Sequence, residues 1–143
     1  MNKYLFTAKT LMTSMFLLCF STMAFSFDTP EAAVNSYITG VKTGSGEHVI
    51  AAFSESASIQ YYDQDGQFRV YTRADFAELV DTGNQWNAQI DITAMKKTAN
   101  AANATVEFTW GDNGEKGYVD YLNVIYDGKS WKVTDKVAQF VNR

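Results

Sequence analysis

Residues Val119–Val137 read VDYLNVIYDGKSWKVTDKV. Two apolar segments flank Asp127–Gly128, and each alternates as a β-strand does. The stretch therefore reads as a hairpin near the end of the chain. Asp120, Asp135 and Lys136 interrupt its apolar pattern, and their placement depends on the loop between the strands. A two-residue type I′ turn sets Tyr126 against Lys129 and Asp120 against Asp135. Two carboxylates on one apolar face would repel, and one would keep its proton as a candidate general base. A three-residue loop sets Asp120 against Lys136 as an ion pair, and a four-residue loop sets it against Val137. Simple alternation places Asp135 with Trp131, Val133 and Val137, and Lys136 with Lys132 and Thr134. The residues alone leave all of these registers open.

Working upstream, more strands precede the hairpin. Gly117–Tyr126 is apolar on both faces, as expected of a strand that is central or covered on both sides. In Ala104–Trp110, Val106, Phe108 and Trp110 alternate with Thr105, Glu107 and Thr109. In Ala88–Met95, Ile90 and Ile92 alternate with Gln89, Asp91 and Thr93. Both have one buried and one wet face, the habit of antiparallel sheets. Earlier still, Ala57–Tyr62 and Gln67–Thr72 flank DQDG, read as a four-residue hairpin loop. That register puts Tyr61 opposite Phe68 and Ile59 opposite Val70, with all four on one face.

Helices fill the remainder. Asp28 or Thr29 caps a helix with Pro30 in its first turn, and Gly44 ends it. Val34, Tyr37, Ile38 and Val41 fall at helical spacing. Gly46–Phe53 reads as a short second helix. Thr72–Val80 reads as a third, with Thr72 as N-cap, Asp75 completing a capping box, and Phe76, Leu79 and Val80 on its apolar side. Early helices followed by antiparallel strands in meander give an α+β fold. A strongly curved sheet wrapped on its helices leaves a cone with an open mouth.

The first residues bear on compartment. Lys3 and Lys9 precede a short apolar run, Leu11–Phe20, and Ala24–Ser26 supplies small residues for cleavage before Phe27. A secretory leader is expected over 1–26, and one domain over 27–143, in the periplasm or secreted. Cleavage after Ala24 is the alternative. Leu18 before Cys19 argues against lipid attachment. Loss of the leader removes the only cysteine, so no disulfide, thiolate nucleophile or cysteine metal site is expected. Sixteen acids then face ten bases, a net charge of −6 with His48 neutral. Such a surface disfavours nucleic acid, and after cleavage no membrane segment is expected.

One histidine beside the apolar face of the second helix is a poor start for a zinc site or a Ser-His-Asp set. DQDG and DNGE (Asp112–Glu115) read as turns, because the long ligand loop of a calcium site is missing. No metal and no cofactor are expected. Tyr61, Phe68, Phe108 and Trp110 occupy the apolar faces of their strands. They either fill the core or, with polar tips on Tyr and Trp, wall a small-molecule pocket.

The order of elements, together with Pro30–Gly44, Tyr71–Val80, Asp120–Leu122 and Lys136–Val137, resembles the NTF2-like superfamily. Within it the chain is similar to the branch described as "putative lumazine-binding". The resemblance implies an α+β cone, N-terminal helices packed on a curved, mainly antiparallel sheet, with an internal pocket and homodimerisation through the sheet. It implies a small aromatic or heterocyclic ligand, with Asp120 and Lys136 orienting its polar atoms against Tyr61, Phe108 and Trp110. Two other readings stand beside this one. A lyase or isomerase would use Asp120 as base, with Tyr121 or Lys136 stabilising the anion, and would need Asp120 free of a close cation. A purely structural dimer would have a filled core.

Overall fold

The computed structural model describes residues 25–143; the expected leader lies outside the described residues except for Phe25 and Ser26. Helix α1, Pro30–Thr43, starts where Thr29 Oγ1 accepts the Ala32 N–H at 3.1 Å. It ends at Gly44, whose φ of +68° is the left-handed conformation glycine tolerates best. A Cβ at Gly44 would also come within 2.6 Å of the Asn84 nitrogen. Helix α2, Gly46–Ala52, follows, and Phe53 opens strand β1, Phe53–Tyr62, rather than closing the helix. Strand β2, Phe68–Thr72, runs into helix α3, Arg73–Val80. The Thr72 hydroxyl accepts the Asp75 N–H at 3.2 Å, the expected N-cap, and itself donates to the Asp75 carboxylate at 2.7 Å, where a capping box would use the Thr72 backbone N–H. No described helix is long and apolar enough to cross a membrane.

Strands β3, Gln89–Thr98, β4, Ala101–Trp110, β5, Lys116–Tyr126, and β6, Trp131–Asn142, form an antiparallel meander. Strand β1 then pairs in parallel with β6, giving the order β2-β1-β6-β5-β4-β3. The result is a curved, mostly antiparallel open sheet with the helices on its concave side. This is the α+β arrangement expected. Val34, Tyr37, Val49, Phe53, Val106 and Val133 form the centre of the core, where each fully buried side chain contributes roughly 1.5–3 kcal/mol.

The first hairpin is shifted by one residue from its expected register. Asp63 is the cause: its Oδ1 accepts the N–H groups of Asp65 and Gln67 at 3.0 and 2.8 Å. Gln67 is thereby drawn into a five-residue loop, and Tyr62 pairs with Phe68, Tyr61 with Arg69 and Ile59 with Tyr71. Phe68 and Val70 therefore lie on the outer face, more than half exposed, while Tyr71 stacks on Tyr61 inside. Leu79 is likewise exposed on α3, and Ala77 is buried in its place.

The last hairpin has the four-residue loop, the third of the expected alternatives, with Tyr126 paired to Trp131, but Asp120 does not meet Val137 as that loop implied. Asp127 fixes that loop by accepting the N–H groups of Lys129 and Ser130 at 2.8 and 2.9 Å. Beyond Val124–Val133 the register slips, because Asn123 pairs with Asp135 and Thr134 is left over as a β-bulge. Asp120 consequently sits opposite Ala138, and Lys136 opposite Leu122. The bulge also overturns strict alternation. Trp131, Val133, Lys136 and Ala138 face inward, whereas Val137 is exposed and Asp135 bonds the Asn123 side chain at 3.0 Å. Strand β5 is central, as expected, but its outer face is bare at Tyr121 and Ile125.

Candidate functional site

Asp120 and Lys136 are diagonal neighbours on the inner face of β5 and β6, a relation long side chains span readily. Lys136 Nζ lies 2.8 Å from Asp120 Oδ2, with the side chains 6% and 1% exposed. Helix α1 brings a third group to the pair. Its stripe of Val34, Tyr37 and Val41 faces the sheet, and the Tyr37 hydroxyl donates to the same Oδ2 at 2.5 Å. Asp120 Oδ1 is buried without a hydrogen-bond partner. Three rings surround the ammonium, with centroids of Tyr37, Tyr61 and Phe76 at 5.7, 5.5 and 5.7 Å. These are cation–π distances.

The charges in the last hairpin thus differ in kind. Asp135 is an outer-face residue held by Asn123, while Asp120 and Lys136 are sealed inside. Burying such a pair is costly, and apolar residues of similar size often serve stability as well or better. Its presence in the core calls for a role beyond holding the fold.

Above the pair is a cavity of about 140 Å³. Tyr61, Phe108 and Tyr118 line it from the sheet, Val41 from α1, and Phe76 and Val80 from α3. Trp86 closes one side. It comes from the Asp81–Ala88 connection, which is tied to the end of α1 by Gly83 N–H to Gly44 O and Trp86 N–H to Lys42 O, at 2.9 and 2.8 Å. Its ring stacks on Phe108 with centroids 5.4 Å apart.

The titration behaviour of the phenols follows from this dryness. Burial first, then the charge of Asp120 and the hydrogen bond to it, push Tyr37 well above the usual phenol value. Burial also raises Tyr61, helped by its hydrogen bond with Tyr71, and raises Tyr118, helped by the charge of Asp63. All three remain neutral at physiological pH and act as hydroxyl groups rather than phenolates.

Of the residues singled out from the sequence, Asp120, Lys136, Tyr61 and Phe108 converge on the cavity. Trp110 stands one layer out, against Trp86 at 4.9 Å and Tyr118 at 5.9 Å. Tyr121 points to the opposite face of the sheet and is 57% exposed, so it cannot stabilise an anion formed at Asp120. Tyr37 and Trp86 were not singled out as site residues. A tyrosine on the buried stripe of α1 implied a partner for its hydroxyl, but nothing in the sequence named that partner. Trp86 lies in an irregular segment that carries no periodic signal. His48 is half-buried away from the cavity, with its Nδ1 3.4 Å from Ser36 Oγ. Among the described residues no cluster of acids, cysteine or histidine could hold a metal ion.

A family model described as "Putative lumazine-binding" matches residues 26–139. The chain belongs to this family. Solved structures of similar fold include NTF2-like proteins of unknown function. One, from Shewanella baltica, is 20% identical over 80% of this chain and 92% of its own, with a TM-score of 0.65. Another, from Methylobacillus flagellatus, is 25% identical over 78% and 88%, also at 0.65. A ketosteroid isomerase-like protein from Erwinia carotovora atroseptica shares the fold at 14% identity, over 79% and 94%, with a TM-score of 0.61. No curated protein matches. This family member is thus an NTF2-like fold with a small aromatic cavity over a buried Tyr–Asp–Lys cluster.

Proposed function

We propose that this chain is an exported binding domain that holds a small ring-bearing molecule in its cone. The observation that carries the reading is the cavity: an aromatic wall over a single polar cluster is the usual composition of a small-molecule site. Asp120 and Lys136 orient the ligand, Tyr61, Phe108 and Trp86 pack against it, and Trp110 supports Trp86 from behind. Proton abstraction is less well supported. A close cation stabilises a carboxylate's charge and weakens it as a base, and here the Lys136 ammonium lies 2.8 Å from Asp120 Oδ2. The family's description, with its reference to a heterocycle, points the same way.

Two copies would pair through the outer face of the sheet. Val70, Gln60, Val137 and Tyr121 lie in one cross-strand row there. Its three hydrophobic members are all more than half exposed, and exposed apolar side chains grouped on one face commonly mark an interface. Export rests on the leader pattern of the first 26 residues.

Native mass spectrometry of protein purified from the compartment of its own host tests the ligand reading, alongside titration of Trp86 fluorescence with ring-bearing compounds, lumazine among them. The expected result is an added mass that leaves on unfolding, and a fluorescence change lost in Trp86→Phe. A bare chain mass, with Trp86 indifferent to every compound, overturns the proposal.

A further inference from the structure

Building on the reading of the chain as exported, we infer that its leader is removed between Ala24 and Phe25, so that Phe25 and Ser26 stay on the mature domain as part of its fold. Leader removal requires small residues at the first and third positions before the cut. Two bonds meet that requirement. Ser26–Phe27 is preceded by Ala24 and Ser26, and Ala24–Phe25 by Thr22 and Ala24. The small residues do not choose between them; the surroundings of the new terminus do.

Hydrolysis creates charge at the cut. Water adds across the peptide bond, brought about by the leader peptidase of the export route. The carbonyl carbon of the departing segment takes the water oxygen and ends as a carboxylate. The nitrogen that stays behind becomes an amine and takes up a proton at neutral pH. The domain therefore gains an ammonium with three N–H donors. An ammonium withdrawn from water without a partner is costly.

Phe27 is a poor place for that charge. The residue is 9% exposed, and its N–H donates to Ser130 Oγ at 2.8 Å in a buried hydrogen bond. Ser130 Oγ itself donates to the Trp131 carbonyl at 3.3 Å, so it is a neutral acceptor and offers no counter-charge. The Phe27 carbonyl accepts the Trp131 N–H at 2.9 Å. Both bonds suit Phe27 as an ordinary amide in mid-chain. A like charge also stands close, since Lys132 Nζ lies 5.4 Å from the centre of the Phe27 ring.

Two residues earlier the terminus is solvated. Phe25 is 37% exposed, so an ammonium there keeps its water. The same two residues also contribute contacts. The Phe25 ring lies 5.3 Å from His48 and 6.4 Å from Phe27, and Ser26 Oγ donates to the Lys129 carbonyl at 3.3 Å. They extend the seam that Phe27 makes with the last hairpin. A cut before Phe27 would discard these contacts and set the charge on the buried residue of that seam.

Exported protein made from the full-length gene in its own host tests this, read by intact mass and N-terminal sequencing beside the variant Ser26→Leu. A bulky residue at position 26 blocks cleavage before Phe27 and leaves both small residues of the earlier cut in place. The parent should begin at Phe25, and Ser26→Leu should be shortened as completely as the parent. A start at Phe27 or anywhere else, or loss of processing in Ser26→Leu, overturns the assignment and leaves export standing. A parent that keeps all 143 residues removes both.

Discussion

Replacing Lys136 with methionine keeps most of the length of the side chain and deletes its charge. Surface ion pairs are worth about 0–1 kcal/mol, whereas breaking a buried pair costs about 3–5 kcal/mol, because one charge is left in a dry site. With side chains 6% and 1% exposed, the Asp120–Lys136 pair belongs to the second class. Lys136→Met should therefore lose about 3–5 kcal/mol, a large part of the 5–15 kcal/mol typical of a whole protein. At about 3–6 °C per kcal/mol for a domain of this size, the melting temperature falls on the order of 10–30 °C. A second variant separates charge from packing. Tyr37→Phe, Asp120→Leu and Lys136→Met together remove every polar group of the cluster, and should recover most of the loss. Urea unfolding followed by tryptophan fluorescence measures both. If Lys136→Met lies within about 1 kcal/mol of the parent, the pair is effectively solvated and its burial carries no such cost.

Other expectations follow from the same geometry. Tyr37→Phe should cost about 1.5–3 kcal/mol in urea unfolding, the range for a hydrogen bond to a charged group; no loss would mean that the hydroxyl is dispensable to Asp120. Tyr37, Tyr61 and Tyr118 favour their neutral form when folded, so their contribution is complete below the unfolded phenol value of about 10 and declines as pH rises toward the folded values. Their phenolate absorbance should therefore appear with alkaline unfolding rather than before it. Backbone N–H groups of Ser130 and Lys129 hold the Asp127 carboxyl below its ordinary value. Its contribution is full above pH of about 4 and is lost as pH falls through the folded value. Asp127→Asn should accordingly flatten the acid limb of the stability curve, and an unchanged limb would count against that role. Tyr121→Glu with Val137→Lys should convert a dimer to monomer at micromolar concentration in sedimentation, with little change in monomer stability; an unaltered mass would place any interface elsewhere.

Helix boundaries were legible because their signals are local. Thr29, Pro30, Gly44 and Thr72 act within a few residues of themselves, and the helices they delimit are found where expected. Strand identity was equally legible from alternation. Register was not, since it depends on single side chains that alter loop length. Asp63 adds a residue to one hairpin loop, and Thr134 adds one to the strand of another. Asp120 and Lys136 could be named from the family pattern, but the means by which they meet, diagonally across a bulge and under Tyr37, involves residues 83 positions apart. No periodicity encodes such a meeting. Trp86 was hidden for a similar reason, because hydrogen bonds to the end of α1 place it.

The bulge at Thr134 has an evolutionary corollary. Losing one residue inside a strand normally turns everything beyond it over, exchanging core for solvent. At this position it would not: with Thr134 gone, Val133, Asp135 and Lys136 would simply alternate in, out and in. The last strand thus carries a spare residue, a place where the gene could shorten by one codon and still deliver the lysine to the cavity. Homologues whose last strand is one residue shorter can therefore keep the same pocket, and an alignment that allows no gap there would pair Lys136 with an outward-facing neighbour.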